Sequence, residues 1–538
     1  MRVKIGLSIM VILIVLAVIA GCGNGGGSSD ATPPPAQPTT VVVSGAISFD
    51  SVPADKVSGL VYANTIQKPA RGIVIEAINA ADFSILATTS TDGSGNYSVT
   101  VPVNTNIKIR IKAQMLITGT PSWDFQVVDN TNSQSLYVAD STSFDSGTSN
   151  LSKSYNLPSG WGGSSYTSTR VAAPFAILDT VYKARSKITT ADNTVHFTQL
   201  LINWSINNIG TSGDKTLGQI GTSHYDPSAK QLYILGKADN DTDEYDDHII
   251  AHEWGHYFEA NFSRSDSPGG SHGPGDKLDP RIAFGEGFGN AFSGMATDDP
   301  NYVDTGGSSQ ATVNLALDLS NSNGDPSSVG WYSEDSVQYI LYALYNNLGF
   351  SPLYSVFTNQ EKTTNSFTTI YSFIAYLKAN NPSAVTTINS LLSAKNISTA
   401  FVNIWDSSET ETNNGSDPKA LPVYALVTAG SSTVQVCGND QFGIYNKLMN
   451  RRFIVFQISS TANYTLSISP VTAGGIPNYV LSQSGQEVIA ERNNAVSNIQ
   501  SASGTFTSGI YYAEIYDHRH VNESSATTGE VCFDVTLN

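Results

Sequence analysis

Residues 246–262 read DDHIIAHEWGHYFEANF, and residues 281–295 read RIAFGEGFGNAFSGM. The first stretch holds His252-Glu253-Trp254-Gly255-His256, an H-E-x-x-H pattern. On a helix, His252 and His256 stand one turn apart on one face, so both imidazoles reach a single ion. Glu253 lies close enough on that surface to hold a water beside the ion. Borderline-soft Zn²⁺ suits two neutral imidazoles plus a carboxylate. Asp246 and Asp247 favour the positive end of such a helix, and Ile249, Ile250, Tyr257 and Phe258 give it an apolar surface. With 8 His in 538 residues, chance gives the pattern roughly 0.003 times per chain of this composition. The motif therefore predicts a metal-binding helix over 246–262.

The second stretch decides which zinc fold this is. The metzincin continuation x-x-G-x-x-H fails, because Glu259 holds its Gly position and Phe262 its His position. Gly285-Glu286-Gly287-Phe288-Gly289-Asn290-Ala291-Phe292 resembles the G-E-G-W-x-D-x-F segment of fungalysin-type peptidases, which are gluzincins related to thermolysin. That resemblance implies a zincin-like catalytic domain in which Glu286 is the third zinc ligand. It also implies that Glu253 is the general base of a peptide-bond hydrolase. The family's Asp is Asn290 here, in the position that takes the N–H of the first zinc His. An Asn carbonyl still accepts that bond, without the charge. Trp331 to Tyr342 is loosely similar to a downstream fungalysin helix, and implies Tyr332 as the group that stabilises the oxyanion. Asp266, His272 and Asp276, in the loop SDSPGGSHGPGD, are alternative ligands or shape the cleft edge.

Upstream, Arg2 and Lys4 precede the apolar run Ile5 to Ala20, which ends in Ile19-Ala20-Gly21-Cys22. This resembles the lipobox of bacterial lipoproteins. It implies that residues 1–22 are a signal peptide and that Cys22 is lipidated, anchoring the chain on the periplasmic or cell-surface face of a membrane. Residues 23–42 are rich in Gly, Ser and Pro and predict a flexible spacer. Residues 43–158 alternate like strands. ATTSTDGSGNYSVTVP at 87–102 is similar to the carboxypeptidase-regulatory-like β-sandwich. Helical spacing returns at Val171–Tyr182, Ser336–Leu348, Thr368–Ala379 and Thr387–Leu392, so residues 159–428 predict the helix-rich α+β catalytic domain.

From 429 to 538 short strands return. SGIYYAEIYD at 508–517 resembles the pre-peptidase C-terminal β-sandwich found on many secreted bacterial proteases. Cys437 and Cys532 flank this module, and in an exported protein they are expected to form one disulfide. Asp239, Asp241 and Asp243 have the spacing of a Ca²⁺ loop but lack the Gly and Glu of an EF-hand, so both Ca²⁺ and a solvated acidic loop stay open.

Composition bounds the partners. There are 28 Lys+Arg against 46 Asp+Glu, a net charge of -18, which repels phosphates and excludes nucleic acid as a partner. The expectation is a monomeric, exported, membrane-anchored zinc endopeptidase acting on protein or peptide. Its fold would be multidomain: β-sandwich, zincin-like α+β domain, β-sandwich. The rival is a surface binding or adhesion lipoprotein that keeps the metal fold without turnover.

Overall fold

The computed structural model describes residues 38–323, 328–400, 403–411, 418–483, 487–522 and 528–538. Cys22 and most of the expected spacer lie outside them. Among the described residues no helix is long and apolar enough to cross a membrane. Residues 40–538 form one compact unit, rich in strands and carrying a helical middle.

The first strand, Thr40–Ser51, begins three residues earlier than the sequence predicts. It mixes buried with half-buried residues, alternating at both ends, and pairs antiparallel with Asn96–Pro102 and Ile66–Pro69. A second sheet runs through Ile85–Ser90, Ile73–Asn79, Asn106–Ile117 and Trp123–Asp129. It does not stop at the expected boundary of 158/159. Leu200–Trp204 pairs parallel with Trp123–Asp129, and Gln231–Ile234 pairs parallel with Leu200–Trp204. Parallel neighbours need a long crossover. Helix α1, Ala173–Ala191, supplies one, with Pro174 in its first turn. His224–Asp226 closes the sheet as an antiparallel edge strand. One hydrophobic core, from Val41 to Tyr512, therefore runs under the first two sheets and the helices.

Helix α2, Asp247–Phe262, carries the H-E-x-x-H residues. Its start is fixed from two sides. Asp247 accepts from Thr180 Oγ1 at 2.6 Å and pairs with Lys183 of α1. Asp246 makes no side-chain cap; its buried carboxylate accepts from Thr305 N at 2.7 Å instead. Helix α3, Pro280–Thr297, has Asp279 as N-cap, accepting from Arg281 N, and Pro280 in its first turn. Helix α4, Glu334–Leu348, is capped by Ser333 and has Glu334 and Asp335 in its first turn. A four-stranded ribbon, Gly236–Lys237, Asp241–Thr242, Asn301–Gly306 and Thr312–Asp318, lies near the start of α2.

The C-terminal region is a β-sandwich of five- and four-stranded sheets over its own core. Buried Arg281 ties it to α3, reaching Asp279 at 2.9 Å and Glu514 at 2.6 Å. Cys437 and Cys532 face each other across adjacent antiparallel strands and form a disulfide. The bridge closes a loop of 95 residues, for which chain entropy gives about 4–5 kcal/mol. Cys437→Ser with Cys532→Ser is expected to lower the stability of this sandwich by about 2–5 kcal/mol. Urea unfolding of the oxidised parent against the double variant measures it; equal midpoints would refute the entropic contribution.

Candidate metal centre and cleft

His252 Nε2 and His256 Nε2 face each other at 3.0 Å. Glu286 Oε2, from α3, lies 3.2 Å from the first and 3.3 Å from the second. In a tetrahedral site with metal–nitrogen bonds of about 2.0–2.1 Å, neighbouring ligand atoms stand about 3.3 Å apart. The three atoms therefore have the spacing that ligands of one tetrahedral ion would have.

The tautomers agree with that fit. Asn290 Nδ2 donates to Glu334 Oε1 at 2.6 Å and to Gln338 Oε1 at 2.8 Å, both on α4. Its carbonyl therefore faces the other way, 2.8 Å from His252 Nδ1. His252 donates from Nδ1, which leaves the Nε2 lone pair for the ion. Behind His256, buried Glu259 stands 3.9 Å from Nδ1. Burial pulls His256 down, but the facing Glu286 and Glu259 carboxylates push it well above the usual imidazole range. Burial likewise pushes Glu286 up, yet His256 and His252 hold it well below the carboxylate range.

Glycine sets how closely the helices meet. A Cβ at Gly289 would lie 2.8–2.9 Å from the His252 ring. Gly287 serves a different neighbour, since its Cβ would lie 2.7 Å from Val337 of α4. At Gly285 the nearest atom would be 3.6 Å away, so packing does not require glycine there.

Glu253 points into a cleft of about 790 Å³ that also holds both histidines and Glu286. Its Oε2 accepts from the backbone N–H of Tyr225, on the edge strand, at 2.8 Å. His272 reaches the same place, with Nε2 3.4 Å from Glu286 Oε2 and 3.7 Å from Glu334 Oε2. Asp266 and Asp276 do not join the cluster: Asp266 pairs with Arg264 at 2.8 Å and Asp276 with Lys447 at 3.3 Å. His248 is buried and bonds the Asp299 carbonyl at 3.1 Å.

Tyr332 is not brought to the centre. It is fully buried against Trp331, ring centroids 5.2 Å apart, and Ser333, which caps α4, is the first residue of that segment to line the cleft. Tyr302, which the sequence reading passed over, lines the cleft with its ring 6.4 Å from that of His252. Its strand is short and its role depends on pairing across the ribbon, so no local pattern marks it. Glu334, in the first turn of α4, also lines the cleft.

No protein-family model matches the sequence, and no curated protein matches it. Among solved structures, the pre-peptidase C-terminal domain of a Bacillus anthracis collagenase is similar at 16% identity, covering 21% of this chain and 96% of that domain, TM-score 0.16. A periplasmic inhibitor of g-type lysozyme from Aeromonas hydrophila is similar at 14% identity, covering 21% of this chain and 97% of that one, TM-score 0.14.

Proposed function

We propose that this chain is an exported, membrane-anchored, zinc-dependent endopeptidase of gluzincin type. The observation that carries the reading is the convergence of His252 Nε2, His256 Nε2 and Glu286 Oε2 within 3.0–3.3 Å, with Glu253 beside them in an open cleft. When bound, zinc supplies Lewis acidity, polarising a carbonyl and bringing a water's pKa towards about 7. Glu253 takes the proton of the attacking water and delivers it to the leaving amine. The Tyr225 N–H holds one Glu253 oxygen and leaves the other for that proton. His272 and Tyr302 replace Tyr332 as donors for the developing oxyanion. The edge strand His224–Asp226 is paired on one side only, which suits an extended peptide added as the next strand. Asn290 supports turnover rather than the adhesion reading, since its carbonyl makes the bond to His252 that an acid would make. The lipid anchor rests on Cys22 and its preceding residues.

Purified protein is expected to digest casein, to stop when zinc is chelated, and to resume when zinc is restored. Zinc-filled protein that leaves casein intact would favour the adhesion reading.

A further inference from the structure

In the acidic stretch before α2, Asp239 is engaged apart from Asp241 and Asp243. Asp239 turns away in a left-handed conformation, φ 59°, and accepts from Ser309 N at 2.7 Å. Asp241 and Asp243, two residues apart on extended chain, present carboxylates on one side. Asp241 pairs across the ribbon with Gly306, which brings Asp304 in as its diagonal neighbour. One oxygen from each of Asp241, Asp243 and Asp304 lies within 4.8 Å of the others.

These carboxylates are short of donors. Asp243 is 3% exposed; its Oδ2 accepts from Ser223 Oγ, but its Oδ1 has no hydrogen-bond partner, and neither does Asp241 Oδ1. Asn314 Nδ2 stands 3.4 Å from Asp241 Oδ2 and 3.3 Å from Asp304 Oδ1. Nearby cations are engaged elsewhere: Arg170 with Glu244, Lys183 with Asp247, Lys215 with Asp226. Lys237, opposite Asp241, is exposed. Burying a carboxylate oxygen without a donor or a cation is costly. All three acids also line the cleft.

We propose that Asp241, Asp243 and Asp304 form a second metal site, separate from the histidine centre, that binds Ca²⁺. Hard carboxylate oxygens select a hard cation, and Ca²⁺ with oxygens at about 2.3–2.6 Å spans such a group, whereas Mg²⁺ demands a tighter octahedron. The ion cross-links Asp241–Thr242 to Asn301–Gly306. That second strand places Tyr302 in the cleft and, through Thr305, holds Asp246 before α2.

The test is equilibrium dialysis of zinc-loaded, full-length protein against radioactive Ca²⁺ up to about 5 mM, above the ~10⁻³ M of weak extracellular sites, with thermal melting in parallel. One Ca²⁺ per chain and a raised Tm are expected. Asp243→Asn and Asp304→Asn each weaken uptake at least tenfold; Asp239→Asn leaves it unchanged. In Ca²⁺-free buffer the two Asn variants melt above the parent, because a repelling carboxylate is gone. Glu286→Ala still takes up Ca²⁺, so failure of the zinc reading is distinguishable from failure of this one. A parent that binds no Ca²⁺, or variants that bind it as the parent does, would overturn the site. A Tm raised by a lysine-containing peptide but not by Ca²⁺ would overturn it too, making the cluster a recognition pocket.

Discussion

Glu253→Gln is expected to keep zinc and to lose about 10²–10⁴-fold of peptide hydrolysis, the usual range for removing a general base. The substitution is close to isosteric, and the amide oxygen of Gln can still accept the Tyr225 N–H that holds Glu253 at 2.8 Å. The edge strand and the start of the cleft therefore stay in place. Glu253 lies outside the triangle of His252, His256 and Glu286, so the ion loses no ligand. What disappears is the basic oxygen that takes the water's proton. The loss belongs in kcat at unchanged zinc content. Casein hydrolysis at the parental rate by a zinc-filled variant would remove Glu253 from the mechanism.

The parts of this centre that sequence reading reached are local. His252, Glu253 and His256 share one helix, so their spacing fixes their geometry. Glu286 and Asn290 also share a helix, and resemblance brought the two helices together. The structure adds the reason Gly289 is there: a side chain would strike the His252 ring. Tyr332 precedes the N-cap Ser333 and is buried in the core, a placement that no local pattern marks. Asp304 was out of reach because its partner Asp241 lies 63 positions earlier, and only ribbon pairing joins them. The sheet that runs across 158/159 was out of reach for a similar reason. Parallel pairing of Leu200–Trp204 with Trp123–Asp129 leaves no trace in a local pattern.

Glu286→Ala is expected to strip zinc from the protein as completely as His252→Ala or His256→Ala. A catalytic zinc needs three protein ligands and an open fourth position, and α2 offers two. The neighbouring acids are committed elsewhere. Asp266 is held by Arg264 and by the Thr368 N–H at 2.8 Å. Asp276 is held by Lys447 and by the Gly273 N–H at 3.0 Å. Asp266→Ala and Asp276→Ala should therefore keep full occupancy. Glu259→Ala is a poorer control, because Glu259 faces His256 Nδ1 at 3.9 Å and such outer partners cost about 10–100-fold in affinity. Among the described residues His272 also comes within reach, 3.4 Å from Glu286 Oε2, but its loop is built from Gly, Pro and Ser, and fixing it as a ligand costs chain entropy that helix α3 does not incur. The double variant Glu286→Ala with His272→Ala separates the two. Zinc retained by Glu286→Ala and lost only in the double variant would make His272 the third ligand and exclude a gluzincin site. Zinc lost already in Glu286→Ala, with Asp266→Ala and Asp276→Ala filled after the same dialysis, assigns the third position to α3.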